Sequence, residues 1–129
     1  MLKTGILNPH VLDLLARVRH TNTLVIADRG FPFWPQIETV DLSLVDDVPT
    51  VLQVLAAVRS NFSAGKAWMA KEFLRENGKA TQNCFTLALK GVPLKFEPHG
   101  EFKRRVPHVI GLIRTGDRTQ FANIILESA

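Results

Sequence analysis

The stretch "VRHTNTLVIADRGFP", residues 18–32, contains the run that decides the fold. Its centre, "TLVIAD" (23–28), is continuously apolar and has polar neighbours, a pattern typical of a strand that is buried on both faces of a sheet. His20 precedes this run and Asp28 ends it. The ends of buried strands are where a fold exposes polar chemistry without disturbing its core. We therefore treat both residues as candidate functional groups.

Helical and extended patterns alternate along the rest of the chain. Asn8 is a good N-cap and Pro9 a good first helical residue for an amphipathic helix, and Pro49 is expected to open a second helix that runs to about Phe62. Further helices are predicted in "KEFLRENG", "TQNCFTLAL" and "HGEFKRR", and further strands in "ETVDLSL", "AWMA", "VPLKFE", "VIGLIRTG" and "FANIILES". This alternation predicts an α/β fold: one domain over residues 1–129, with three α/β/α layers and a mixed, partly parallel sheet.

Two finer expectations concern strands. In "ETVDLSL", Val40, Leu42 and Leu44 fall on one face, which predicts a half-buried strand. The last two strands are separated by "TGDRTQ", a connection too short for a helical crossover. We therefore expect those two strands to pair with each other in antiparallel orientation.

The amino-acid composition argues against a membrane-spanning protein and against a nucleic-acid-binding protein. The chain has 129 residues, of which 46% are hydrophobic and 22% charged, and no apolar run approaches the roughly 18 residues of a membrane-spanning helix. One cysteine cannot close an internal disulfide, so a cytoplasmic protein is expected. The net charge is +4, but the basic residues are dispersed and tyrosine is absent. A solvated basic surface is therefore favoured over a nucleic-acid interface.

Common catalytic motifs are missing. "SAGKA" lacks the first glycine and the following Ser or Thr of a P-loop, and the four histidines show no metal-ligand spacing, so no metal site is expected. Cys84 lies within a predicted helix and is expected to pack in the interior.

Three clusters of polar residues remain, each at the end of a predicted element. They are His20 with Asp28, His99 with Lys103 in "EPHGEFK", and Asn123 after the turn in "IRTGDRTQFAN". Each residue also has a structural explanation, such as helix capping or satisfaction of backbone groups. Together they supply acid/base and hydrogen-bonding groups suited to a small polar ligand.

Four blocks resemble the D-ribose pyranase and L-fucose mutarotase family, in the same order and with nearly the same spacing. They are "KTGILNPHVLDLLARVRHTNTLVIADRGFP", "DLSLVDDVPTVLQVL", "PHGEFK" and "LIRTGDRTQFANIIL", and "VPTVLQVL" and "IRTG" are closer to the ribose pyranase branch. The resemblance implies a cofactor-free isomerase that interconverts ring forms or anomers of a free monosaccharide. It also implies assembly into a ring, a pentamer or a stacked decamer, with the sugar site between subunits.

The resemblance assigns a role to six residues. His20 matches the family's general acid/base; Asp28, His99, Lys103, Phe121 and Asn123 match its sugar-binding positions. Since His20 and Asp28 stand at opposite ends of one strand, we expect one copy to supply His20 and its neighbour Asp28.

Three residues depart from the family pattern. Phe121 replaces a tyrosine, Arg19 a glycine and Arg29 a small residue. Extra cations beside the site raise the alternative of an anionic or phosphorylated sugar. Phe121 lacks the hydroxyl of the family's tyrosine, so a catalytically weak sugar-binding or regulatory protein is a second alternative. A fucose-type mutarotase is a further alternative.

Overall fold

The computed structural model describes residues 1–3 and 5–129. Within those residues the chain forms one sheet of six strands, five α-helices and a short 3-10 helix. In chain order these are α1 (Pro9–Arg17), β1 (Thr23–Ala27), β2 (Thr39–Asp41), α2 (Val51–Arg59), β3 (Ala64–Ala70), α3 (Lys71–Glu76), α4 (Lys79–Ala88), β4 (Leu94–Glu97), α5 (His99–Arg105), the 3-10 helix (Val106–His108), β5 (Gly111–Arg114) and β6 (Ile124–Ser128).

The first two helices begin at side-chain caps. Asn8 Oδ1 accepts hydrogen bonds from the N–H groups of His10 at 2.9 Å and Val11 at 3.0 Å, which confirms the predicted start of α1. Helix α2 begins two residues later than predicted, because Thr50 and Gln53 form a reciprocal capping box.

The strand order is β2-β5-β1-β6-β3-β4. Strand β1 runs parallel to β5 and antiparallel to β6, so the sheet is mixed. The β2–β5 and β3–β4 pairs are parallel, whereas β3 and β6 are antiparallel.

The sheet is buried on both faces. Leu24 and Ile26 of β1 join a core cluster with α1, α2, α3 and α4, while Val25 and Ala27 join a second cluster with α5 and the 3-10 helix. These two clusters confirm the predicted three-layer α/β/α fold and the burial of β1 on both sides.

The expected pairing of the last two strands is wrong. Strand β1 lies between β5 and β6 and is hydrogen-bonded to both. Strands β5 and β6 therefore run in opposite directions but do not pair with each other. The short connection crosses the end of β1 instead of turning back as a hairpin. A six-strand sheet with a buried centre favours this insertion, because β6 then contacts apolar strands on both sides.

Two burial predictions are also wrong. Strand β2 ends at Asp41, after which Leu44 N–H donates to Val48 O at 2.9 Å and the Leu44 side chain is exposed. Cys84 lies on the exposed face of α4, whereas Phe85 beside it is buried. Among the described residues, no helix is long and apolar enough to cross a membrane.

Candidate functional site

A cleft of about 260 Å³ lies where β1 and β5 end and β6 begins. Its walls come from the segment after β1, the start of α5 and the connection between β5 and β6. The lining residues are Asp28, Arg29, Gly30, Phe31, Pro32, His99, Asp117, Arg118, Thr119, Gln120, Phe121 and Asn123. The volume suits a molecule of monosaccharide size.

The connection from β5 to β6, residues 115–123, is the crossover segment that forms one wall of the cleft. It runs over the carboxyl end of β1 and is hydrogen-bonded to Ala27, the last residue of that strand, and to the two residues that follow. The bonds are Thr115 N–H to Ala27 O at 2.9 Å, Arg29 N–H to Asp117 O at 3.0 Å and Asp28 N–H to Asn123 Oδ1 at 2.8 Å. The wall is therefore fixed to the central strand of the sheet.

Asp28 supplies a buried carboxylate at the base of the cleft. The residue is 8% exposed, and Oδ1 accepts a hydrogen bond from Gly30 N–H at 3.0 Å. Burial raises the pKa of Asp28, while the N–H groups of Gly30, Phe31 and Ala122 and the amide of Asn123 oppose that rise. The carboxyl group is thus a stronger proton acceptor than an exposed aspartate.

Asp117 anchors the crossover segment to α2. Oδ2 accepts from Val51 N–H at 2.8 Å, at the start of that helix, and Oδ1 accepts from Thr119 N–H at 2.8 Å. The charge is placed favourably at the helix N-terminus. Both carboxylate oxygens are occupied in this way, so we assign Asp117 a structural role.

Gly116 allows the crossover segment to pack against the 45–48 loop. A Cβ at this position would lie 2.3 Å from Val45 O and 3.1 Å from Val48 O. Any other residue would force the two backbones apart, because real Cβ atoms do not approach an oxygen so closely. On the same side, Arg118 forms an ion pair with Asp47 at 2.8 Å.

His99 lies in an aromatic setting at the start of α5. Its ring stacks on Phe102 at 6.0 Å and meets the edges of Phe31 at 6.3 Å and Phe121 at 5.0 Å. Its Nδ1 is buried and finds no hydrogen-bond partner among the described residues. Burial, followed by the charge of Lys103, lowers the pKa of His99, so the neutral imidazole is favoured.

Phe121 completes the aromatic wall. Its backbone has a φ of +54°, a conformation that non-glycine residues seldom adopt. The local conformation turns the ring to the cleft and brings Ala122 and Asn123 into the core, where both are buried. A positive φ at a bulky residue costs free energy, and its place at a ligand cleft is typical of functional sites.

Four of the six predicted site residues share the cleft, namely Asp28, His99, Phe121 and Asn123. Lys103 lies one turn after His99 on α5 and does not line the cleft, although its charge acts on His99. His20 is exposed at the opposite end of β1, where Thr21 N–H donates to Ser128 O at 3.0 Å. One chain therefore does not bring His20 to Asp28.

The two arginines that differ from the family pattern, Arg19 and Arg29, both form contacts within the chain. The Arg19 guanidinium turns back to carbonyls at the end of α1, including Val18 O at 3.2 Å. Arg29 lines the cleft but is ion-paired with Asp46. These contacts reduce the positive charge available to an anionic sugar.

Sequence reasoning missed Asp117, Gly116 and Arg118 as site-forming residues. The sequence signal that could have identified them is "TGD", residues 115–117, directly after a buried strand. Small and acidic residues at such a position are typical of a tight turn at the end of a strand. The described residues contain no group of three or more His, Cys, Asp and Glu side chains arranged to hold a metal ion.

The fold and cleft are those of a small α/β protein that has a polar cleft at the ends of the strands of a mixed sheet. Comparison with known proteins identifies the family. The chain belongs to the RbsD / FucU transport protein family, whose model matches residues 1–129.

Relatives and solved structures agree with this assignment. The chain is 40% identical to a D-ribose pyranase of Geobacillus kaustophilus, over 99% of this chain and 93% of that protein. It is 38% identical to a D-ribose pyranase of Chromobacterium violaceum, over 99% and 97%. The structure of Bacillus subtilis RbsD complexed with D-ribose is similar with a TM-score of 0.93 and 31% identity, over 100% and 98% of the chains. A fucose mutarotase from Streptococcus pneumoniae, at 16% identity and a TM-score of 0.84, shares the fold.

Proposed function

We propose that this protein is a sugar isomerase that interconverts ring forms of a free monosaccharide, with D-ribose as the first candidate. The observation that carries the proposal is the cleft beside Asp28, built on a chain 38–40% identical to D-ribose pyranases over nearly its whole length. The related Bacillus subtilis structure was solved with D-ribose. We infer a cytoplasmic location, which the single cysteine favours.

The reaction moves protons and breaks and forms one C–O bond. A base removes the proton of the anomeric hydroxyl while an acid protonates the ring oxygen, and the bond from C1 to that oxygen breaks to give the open aldehyde. Attack on C1 by the same or another hydroxyl then closes a ring of the other anomer or size. Placed acid/base groups accelerate such steps by about 10²- to 10⁴-fold.

Three side chains of the cleft are suited to holding the sugar. Asp28 presents a carboxylate to hydroxyl groups, and its raised pKa favours proton acceptance. His99, favoured in its neutral form, offers hydrogen bonding without adding charge. Phe121 supplies an apolar face on which the C–H side of a sugar can pack. Lys103, one turn beyond His99, would reach the sugar after a change of side-chain conformation.

We further propose that His20 of a neighbouring copy completes the site as proton donor. His20 is exposed at the far end of β1, and this placement supports a site shared between copies in a ring. The exposed apolar side chains of Leu44, Val45 and Val48, beside the crossover segment, support contact with a second copy on the cleft side. A pentamer and a stacked decamer both meet this requirement.

The test of the reaction is magnetisation-transfer NMR between ring forms of ribose, repeated with fucose. Faster exchange with ribose is the expected result. No acceleration with any free sugar would contradict the isomerase and leave a sugar-binding protein.

The shared site is tested by mixing two variants, His20→Ala and Asp28→Asn, each expected to be inactive alone. In a randomly mixed ring, about a quarter of the interfaces regain both native side chains, so activity returns to about that fraction. A fully active monomer would contradict the shared site.

A further inference from the structure

Helix α3, Lys71–Glu76, contributes no residue to the lining of the cleft. It follows β3 directly, and its residue Phe73 is 1% exposed. The Phe73 ring lies 4.8 Å from that of Phe85 in the core. Helix α3 is therefore anchored both to the sheet and to the core, and the side chains near its two ends can hold other parts of the chain in place.

Glu72, near the start of α3, holds the first residue of α5. Both carboxylate oxygens accept the backbone N–H of His99, Oε1 at 3.1 Å and Oε2 at 3.0 Å. The first N–H groups of a helix have no partner within the helix, and the residue at the cap position of α5, Pro98, gives no side-chain hydrogen bond. Glu72 therefore caps α5 from 27 residues away and fixes the backbone that carries the His99 ring.

Asn77, directly after α3, holds the crossover segment. Its Nδ2 donates to Gln120 O at 2.9 Å and to Phe73 O at 2.9 Å. Since both partners are acceptors, the amide nitrogen uses its two hydrogens and the orientation of the amide is fixed. Gln120 immediately precedes Phe121, whose ring meets the ring of His99 at 5.0 Å. Asn77 thus holds the backbone beside the aromatic residue that contacts His99.

We propose that Glu72 and Asn77 are positioning residues that join two walls of the cleft, the start of α5 and the crossover segment, through α3. These walls meet at the His99 and Phe121 rings, so the two links together fix how the rings are placed for a sugar. Neither positioning residue lines the cleft, and each acts through the wall that it holds. The effect on sugar binding rests on the proposed function, whereas the linkage itself does not.

The substitutions Glu72→Gln and Asn77→Asp each weaken one link at nearly constant size. Glutamine offers the His99 N–H one uncharged acceptor oxygen, and aspartate presents an oxygen, in place of a donor, to two carbonyl oxygens. Each variant should raise the Kd for ribose about fivefold, the equivalent of one lost hydrogen bond. In the absence of sugar, the NMR NOE cross-peak between the His99 and Phe121 rings should weaken.

Glu76→Gln and Asn83→Asp are the matched controls. They make the same chemical changes at exposed residues of α3 and α4. Within the described structure, neither residue is hydrogen-bonded to α5 or to the crossover segment. Both controls should keep the wild-type Kd and the wild-type cross-peak. Equal changes in controls and test variants, or no change in either test variant, would overturn the proposal.

A double variant separates a shared linkage from two independent defects. Because Glu72 and Asn77 act in series through α3, loss of either link already releases one wall from the other. Combining Glu72→Gln with Asn77→Asp should therefore raise the Kd by clearly less than the product of the two single effects. A Kd equal to that product would overturn the joint action.

The His99 titration reports on the Glu72 link independently of sugar binding. Burial and the charge of Lys103 lower the pKa of His99, and the charge of Glu72 opposes them. The other charged side chains of the cleft, which Glu72→Gln leaves unaltered, are Asp28, Arg29, Asp117 and Arg118. The midpoint of His99 in an NMR pH titration should therefore move to lower pH in Glu72→Gln and keep its wild-type value in Glu76→Gln. An unmoved midpoint in Glu72→Gln would overturn the proposal.

A measurement on the unaltered protein removes any dependence on the folding of variants. In a pH titration by NMR, the His99 backbone N–H should shift with the same midpoint as the Glu72 carboxyl carbon, because a protonated carboxyl is a weaker acceptor. A His99 N–H that ignores the Glu72 titration would overturn the proposal, even if ribose exchange is catalysed. If ribose does not bind, the isomerase function fails, and the ring cross-peak and this titration still decide the linkage.

Discussion

His20 and Asp28 flank β1, which separates them by about 13 Å of extended backbone over Thr23–Ala27. His20 is exposed beyond one end of the strand, and Asp28 is buried at the other end, in the cleft. A single pentose cannot bridge this distance. If both residues contact the same sugar, they must come from different copies of the chain. The pair therefore tests whether the active form is one chain or an oligomer.

His20→Ala should reduce ribose exchange about 10²- to 10⁴-fold, toward the uncatalysed rate, because a placed proton carrier is lost. The His20 side chain is exposed, so we expect sedimentation to show the same assembly as the wild type. His10→Ala, at another exposed histidine, is the matched control and should retain full exchange. Unchanged exchange in His20→Ala would remove this residue from the mechanism.

Phe121→Tyr should lower the KM for ribose about fivefold, the equivalent of one added neutral hydrogen bond in the cleft. Phe33→Tyr, on an exposed ring outside the cleft, should leave the KM unchanged. Steady-state exchange kinetics measure both. An unchanged KM in Phe121→Tyr would indicate that the cleft is adapted to a different sugar.

His99→Phe should stabilise the protein while weakening ribose binding. The buried Nδ1, without a partner in the described part of the chain, is replaced by carbon among three phenylalanines, a gain of about 1 kcal/mol in the free energy of unfolding. Urea denaturation measures this gain, and ribose titration measures the loss of affinity.

The gain from His99→Phe should grow as the pH falls. The native pKa of His99 lies below the ordinary value of 6.5, so near and below that value the unfolded chain binds more protons than the native protein. Wild-type stability is therefore lost as pH drops through 6.5 toward the native pKa, and the variant lacks this loss. A gain independent of pH between 7 and 5 would contradict the burial of this imidazole.

Gly116→Ala should lower the free energy of unfolding by about 1–3 kcal/mol, because its Cβ meets backbone oxygens that cannot move aside independently. The KM for ribose should rise with it as the crossover segment shifts. Gly100→Ala is the control: apart from its chain neighbours and the nearby backbone of α5, no described atom lies within 4 Å of its Cβ, and alanine in α5 should stabilise by about 0.5–1 kcal/mol. Thermal unfolding of both variants compares them directly.

Local signals in the sequence predicted much of this fold. Asn8 and Pro9 specify the start of α1 through contacts within three residues, and the unbroken apolar run of β1 specifies burial on both faces. Asn123 stood out because it follows the turn in "IRTGDRTQFAN", whereas Phe121 was selected by the resemblance to a known family.

The remaining features depend on contacts between distant residues. No local rule places β6 beside β1 and β3, since that choice depends on how the whole sheet buries its apolar strands. For the same reason the sequence did not reveal that Asp117 reaches Val51, 66 residues away. The exposure of Leu44 and Cys84 likewise depends on which neighbours pack nearby.

The crossover segment also has a consequence for folding. Because it spans β1 between β5 and β6, the cleft exists only after strands from both ends of the chain have joined the sheet. A sugar that binds there has no partial site to recognise in an unfolded or half-assembled chain. Ligand therefore stabilises only the completely folded chain, by RT ln(1 + [L]/Kd). Sugar binding can therefore serve as a measure of correct folding.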